Sequence, residues 1–217
     1  LCMSLLPVGF GASGDDYEIT DSLRLRSSAS AYLSRTPASA SNQTTWTFSV
    51  WVKRGALGIQ QNLFNPARGG DGSNESQMGF RSDDKLWIYD SGGIRGIFYT
   101  NQLFRDPSAW YHLVFVLDTT QATSTNRFKL YVNGEQATFS SATYPSQNIA
   151  WGWNSTQEHK IGVYAYSGSF YDFDGYLTEM NHVDGQALDP TDFGEYDANG
   201  TWKAKEYTGT HGTNGFY

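Results

Sequence analysis

Nine consecutive residues, Trp110-Tyr111-His112-Leu113-Val114-Phe115-Val116-Leu117-Asp118, are apolar on both faces of an extended chain and dense in aromatic and β-branched side chains. Such a strand has to be covered on two sides, so it predicts the centre of a sheet with packing above and below. In Trp46 to Lys53, Trp46, Phe48, Val50 and Val52 recur at period two opposite Thr47, Ser49 and Lys53, which predicts a half-buried strand. Phe128 to Val132 alternates likewise, and Asn133-Gly134 supplies the two positive φ angles of a type I′ hairpin before Glu135 to Phe139 return. Short strands are expected at Met78–Phe80, Lys85–Tyr89 and Gly96–Tyr99, separated by stretches of turn composition. Ser22 to Leu33 reads as a first strand pair closed at Thr36-Pro37, and Ile161–Tyr166 with Phe170–His182 completes the set. With 7 Trp, 14 Tyr, 13 Phe and 23 Gly in 217 residues, the composition suits a twisted, turn-rich β protein. Asp189-Pro190-Thr191-Asp192 offers an N-cap, a proline at the first helical position and an acid in the first turn, so one short helix is expected near 190–195. No internal repeat of fixed period occurs, and the fold class that follows is all-β, a two-sheet antiparallel sandwich or jelly roll.

Residues 1–20 read as an extended arm, 21–197 as the sandwich and 198–217 as a C-terminal tail that docks on a neighbour. The charge of −7, from 15 Lys+Arg against 22 Asp+Glu with no basic run, makes nucleic acid a poor partner. No segment approaches the roughly 18 apolar residues of a membrane span, and the lone Cys2 excludes an intramolecular disulfide.

The order of motifs resembles laminin-G-like, concanavalin A-like jelly rolls. Ser22-Leu23-Arg24-Leu25 with Ala31-Tyr32-Leu33, then Thr47 to Lys53, resemble the family's opening strands. Trp110 to Val114 followed by Lys129 to Glu135 is similar to its paired strands and Asn-Gly hairpin, and Phe173 to Met180 with Gln186 to Pro190 to its closing strand and following helix. A narrower resemblance, carried by Met3 to Gly11, Arg35 to Ala40, Trp51 to Gly55 and Gly212 to Tyr217, is to structural proteins of tailed bacteriophages, notably marine ones. It implies a virion location, a homo-oligomer, and partners that are either a host-surface glycan or other virion proteins.

The glucanases of this fold imply a Glu-x-Asp-x-x-Glu strand, because retaining hydrolysis needs two carboxyl groups facing one groove. The nearest match, Glu195-Tyr196-Asp197, lacks the second Glu, and no Gly-x-Ser-x-Gly elbow is present, so no enzyme is expected. His112, His159, His182 and His211 lack metal-ligand spacing, and His112 reads as a packed, hydrogen-bonded residue. Calcium is the one cofactor left open, since oxygen ligands can come from separate loops. The resemblance points to Asp172, Asp174 and Glu179 beside Asp118 for it, against the plainer reading of a solvated strand end. Glycan candidates are Trp151, Trp153 and Asn154 with Tyr164, Tyr166 and Tyr171, because aromatic faces cover a pyranose while amides meet its hydroxyls. The same rings suit a sandwich core or subunit contact equally. Leu5, Leu6, Pro7, Val8 and Phe10 form the candidate assembly arm, which would add to another subunit in the alternative reading of a virion assembly or decoration protein.

Overall fold

In the computed structural model, residues 17–66, 75–90, 95–166 and 169–217 are described, with 165, 166, 169 and 170 by backbone alone. The strands are β1 (Leu23–Leu25), β2 (Leu33–Arg35), β3 (Thr45–Arg54), β4 (Gln61–Pro66), β5 (Ser76–Phe80), β6 (Lys85–Asp90), β7 (Gly96–Leu103), β8 (Tyr111–Asp118) and β9 (Phe128–Val132). They continue with β10 (Glu135–Gln136), β11 (Phe139–Thr143), β12 (His159–Ile161), β13 (Ala165–Tyr166), β14 (Ser169–Phe170), β15 (Gly175–Asp184), β16 (Gly194–Tyr196) and β17 (Trp202–Ala204).

Alternation sorts these strands into two layers. One sheet has the order β1-β15-β3-β8-β9-β10 and the other β11-β7-β6-β5-β4-β12-β2, every ladder antiparallel. Phe48, Val50, Leu113 and Phe115 of the six-stranded sheet face Phe64, Met78, Ile88 and Phe98 of the seven-stranded one in a single apolar core. The apolar run from Tyr111 does lie centrally, between β3 and β9. Its outer residues Val114 and Val116 are covered by Val183, Phe193, Leu188 and Tyr207, the second covering layer that its pattern demanded.

Several expectations change. Ile161–Tyr166 is not one strand: β12 ends at Ile161, and β13 pairs with β14 in a separate two-stranded sheet. Ser22 to Leu33 is not a strand pair: the 3-10 turn Ser27–Ala29 and the left-handed Ser30 carry the chain across, so β1 pairs with β15 and β2 with β12 in opposite sheets. The return after Asn133-Gly134 pairs only through Glu135 and Gln136, and Phe139 onward joins β7 in the other sheet. The helix near 190–195 is a single 3-10 turn, Pro190–Asp192, because Gly194 already begins a strand paired with β17. Its capping is as read: Asp189 accepts from the Thr191 amide and Asp192 from that of Asp189.

Residues 198–217 fold back on their own chain. Phe216 forms a β-bridge with His182, and the Asn214 amide donates to Asp184 at 3.0 Å. Leu5, Leu6, Pro7, Val8 and Phe10 lie outside the described residues. Among those described, no helix is long and apolar enough to cross a membrane.

Candidate functional site

The outward rung Thr178–Trp51–His112 crosses β15, β3 and β8, so the pleat of β3 that buries Val50 and Val52 turns Trp51 away from the core. Trp51 stacks on the His112 imidazole, with centroids 4.9 Å apart and planes 16° from parallel. Trp202, delivered by the β16–β17 hairpin, donates its indole N–H to His112 Nδ1 at 2.9 Å. The edge of Tyr196 packs on Trp202 at 4.9 Å, and the Tyr196 hydroxyl donates to Glu135 at 2.8 Å.

Above this floor lies a cleft of about 480 Å³. Trp51 and Trp110 line one part of it, Trp202 to Ala204 another, and the segment Tyr17 to Ser22 a third. The Thr178 hydroxyl ties that segment down by donating to the Asp21 carbonyl at 2.7 Å. Glu18, Asp21 and Lys203 bring charge to the cleft. The indole nitrogen of Trp51 is buried and has no hydrogen-bond partner among the described residues.

Ser49 and His112 meet behind Trp51, with Oγ 2.8 Å from Nε2. The pair has the outline of an activated nucleophile, but its protons run the wrong way. An indole nitrogen only donates, so His112 Nδ1 must accept, and the proton of the neutral ring sits on Nε2 pointing at Ser49. Burial pushes the imidazole down to about 3, so the ring stays neutral and cannot take a proton from Ser49 through Nε2.

The glycan candidates read from the sequence stand elsewhere. Trp151 and Trp153 are 0% exposed, packed into the core against Phe128 and Trp46, so neither can offer a face to a sugar. Asn154 is buried too, its amide donating to the Asn42 carbonyl and Asp184. Tyr164 is buried and stacked on the half-buried Tyr171 at 5.8 Å; the Tyr166 side chain lies outside the described residues. Flat rings in a glycine-rich segment carry no period that tells inside from outside, whereas Trp51 stands on the polar side of an alternating strand. Trp202 had no such signal, because its partner is 90 residues away.

The proposed calcium ligands are not brought together. Asp118 pairs with Thr45 at one end of β3, while Asp174 adjoins Gly175, which pairs with Arg54 at the other. Asp174 is neutralised by Arg24 at 2.7 Å, and Glu179 accepts from Tyr217 at 3.0 Å. Burial raises the Asp174 carboxyl, but Arg24 and Ser27 outweigh it and hold it low. No group of three or more His, Cys, Asp or Glu side chains able to hold a metal occurs among the described residues.

A second aromatic set lies on the seven-stranded sheet. Trp87 stands between Tyr89 and Tyr99, at 5.8 and 6.5 Å, and Arg81 covers Tyr99 at 4.5 Å. These rings pack as cross-strand and same-face neighbours do.

Two antiparallel sheets with this strand order and an aromatic cleft on the outer surface place the protein among the jelly-roll sandwiches of lectin type. A family model described as the Concanavalin A-like lectin/glucanases superfamily matches residues 27–192, and the chain belongs to that superfamily. No curated protein sequence matches it. Among solved structures, a putative carbohydrate binding protein from Bacteroides ovatus aligns with a TM-score of 0.50 at 16% identity, over 74% of this chain and 42% of that one. A heptameric SAP-like pentraxin from Limulus polyphemus gives 0.49 at 18% identity, over 72% and 70%. A Trypanosoma rangeli sialidase gives 0.48 at 13% identity, over 68% of this chain and 21% of the enzyme, so this chain spans about a fifth of that protein. Likeness at these identities is a likeness of fold.

Proposed function

We propose that this chain is a non-catalytic carbohydrate-recognition module that holds a glycan in the cleft of Trp51, Trp110 and Trp202. The carrying observation is the convergence there of three tryptophans with the charged groups of Glu18, Asp21 and Lys203. Rings supply the surface that a pyranose face covers, and the polar groups meet its hydroxyls. Lack of catalysis is supported by the His112 tautomer, which leaves Ser49 unactivated. The setting on a tailed-phage particle, the host-surface origin of the glycan and assembly with further copies of the chain rest on the motifs at Met3 to Gly11 and Gly212 to Tyr217.

A glycan array run in calcium and in chelator, followed by calorimetry on the best hit, tests this. Trp110→Ala should weaken binding at least about tenfold while Trp87→Ala leaves it unchanged, and the chelator should have no effect. A blank array with folded protein would sink the module; loss with Trp87→Ala alone would move the site to the other sheet.

A further inference from the structure

The charged residues that line the tryptophan cleft are Glu18, Asp21 and Lys203. Lys203 pairs at 3.5 Å with Glu195, its cross-strand neighbour in the β16–β17 hairpin, so a carboxylate already meets its ammonium. Glu18 and Asp21 have no cation within salt-bridge distance among the described residues. Asp21 accepts only from the neighbouring Thr20 hydroxyl, at 3.0 Å, and the bond from Thr178 to its carbonyl holds the segment against β15. With Glu195 counted, three carboxylates stand against one ammonium, and the chain's net charge of −7 has the same sign.

The carboxylates alone would mark a solvated edge. Beside Trp51, Trp110 and Trp202 they form a surface that discriminates by charge. An anionic sugar meets like charges here, which works against binding. A neutral sugar uses the carboxylates as hydrogen-bond acceptors and gains nothing from their charge. A protonated amine gains twice: the carboxylates attract it, and indole is the strongest aromatic partner for a cation.

We infer that the glycan of this cleft carries free, protonated amino groups, as a de-N-acetylated hexosamine chain does, with its rings on the indoles and its ammonium groups beside Glu18 and Asp21. This rests on the reading of the cleft as a glycan site and narrows it to one class of sugar; carboxylated sugars are selected against.

The test uses a glucosamine oligomer and its fully N-acetylated form, equal in length and linkage. Each is titrated into the whole chain by calorimetry at a pH that keeps the amines protonated, with a sialylated oligosaccharide as the anionic probe. The glucosamine oligomer should bind about tenfold more tightly than the acetylated one, as two exposed charge pairs allow, and the sialylated one should not bind. Glu18→Gln with Asp21→Asn should erase the preference and leave the acetylated oligomer unaffected, whereas Trp110→Ala should weaken both. Asp83→Asn with Glu158→Gln makes the same change of net charge at side chains 45% and 40% exposed, in the β5–β6 turn and before β12. It should leave the preference intact, which separates the cleft from general attraction of a polycation to an acidic protein. Equal binding of the two oligomers, tighter binding of the acetylated or sialylated one, a preference that survives the Glu18 and Asp21 changes, or one that disappears with Asp83 and Glu158 would each overturn the inference. Binding of neither oligomer, with another sugar captured on the array and lost in Trp110→Ala, overturns the inference alone; a blank array overturns the glycan reading with it.

Discussion

Arg54 closes the core-facing row of β3, where Trp46, Phe48, Val50 and Val52 precede it, and is 1% exposed. Its guanidinium donates to Asp84 at 3.1 Å, to the Phe104 carbonyl at 2.6 Å and to Gln61 at 3.2 Å, and lies over the Phe80 ring. Burial raises the Asp84 carboxyl, but the Gly58 amide, Arg105 and Arg54 outweigh it and hold it below the usual range. Its stabilisation is complete above the unfolded value near 3.9 and disappears as pH falls through the lowered one. Asp84→Asn should cost about 3–5 kcal/mol at pH 7, since it leaves a buried guanidinium uncompensated. The histidines act at higher pH. Burial depresses His112 to about 3, His159 to about 4 and His182 to about 3. Their stabilisation is complete above the unfolded value near 6.5 and is lost as pH falls toward those values. Urea melts should therefore lose stability from pH 6.5 to 4 in wild type and Asp84→Asn alike, with the two curves converging only below about 4. At this scale β3 was legible in part: its inward residues followed from period two, while Trp51, an aromatic among the polar residues of the opposite face, passed unread. Trp151 and Trp153 were not, since burial of an aromatic pair outside a periodic strand depends on what packs over it.

Among elements, the Asn133-Gly134 hairpin was the most legible from the sequence, because φ angles of 50° and 82° belong to few residue types. What the sequence withheld is why the second position has to be bare. A Cβ on Gly134 would stand 2.5 Å from the Trp202 ring. Gly58, at φ 70°, has open space around it. Gly58→Ala should thus cost about 1 kcal/mol of backbone strain, and Gly134→Ala that strain plus displacement of Trp202 from His112. Thermal melts should separate the two, and only Gly134→Ala should also weaken glycan binding. The turn at Pro190 shows a limit of the opposite kind: the capping chemistry was written in four residues, yet the length of the helix was decided by β17 pairing with the residues that follow.

At the scale of the molecule, the returning C-terminal segment ties the sheets' end to the loop before β3. The backbone N–H of Asn214 reaches Asp184 on β15, and its side-chain NH2 reaches both Ser39 and Ser41 on that loop, the two bonds that a truncation removes. Asn214→Ala should cost about 2 kcal/mol, roughly 4–8 °C in Tm, and loosen the wall beside His182. The two-sheet architecture was legible because alternation and turn chemistry are local; this closure was not, as its bonds join residues far apart in sequence. The ladder between β3 and β15 pairs Trp51 with Thr178, a separation of more than half of the 217 residues. During synthesis, β3 emerges long before that neighbour and waits with one edge unpaired and rich in Trp and Val. Folding dominated by such distant pairings takes milliseconds to seconds once the chain is whole, and until then the bare edge of β3 is open to strands of other copies.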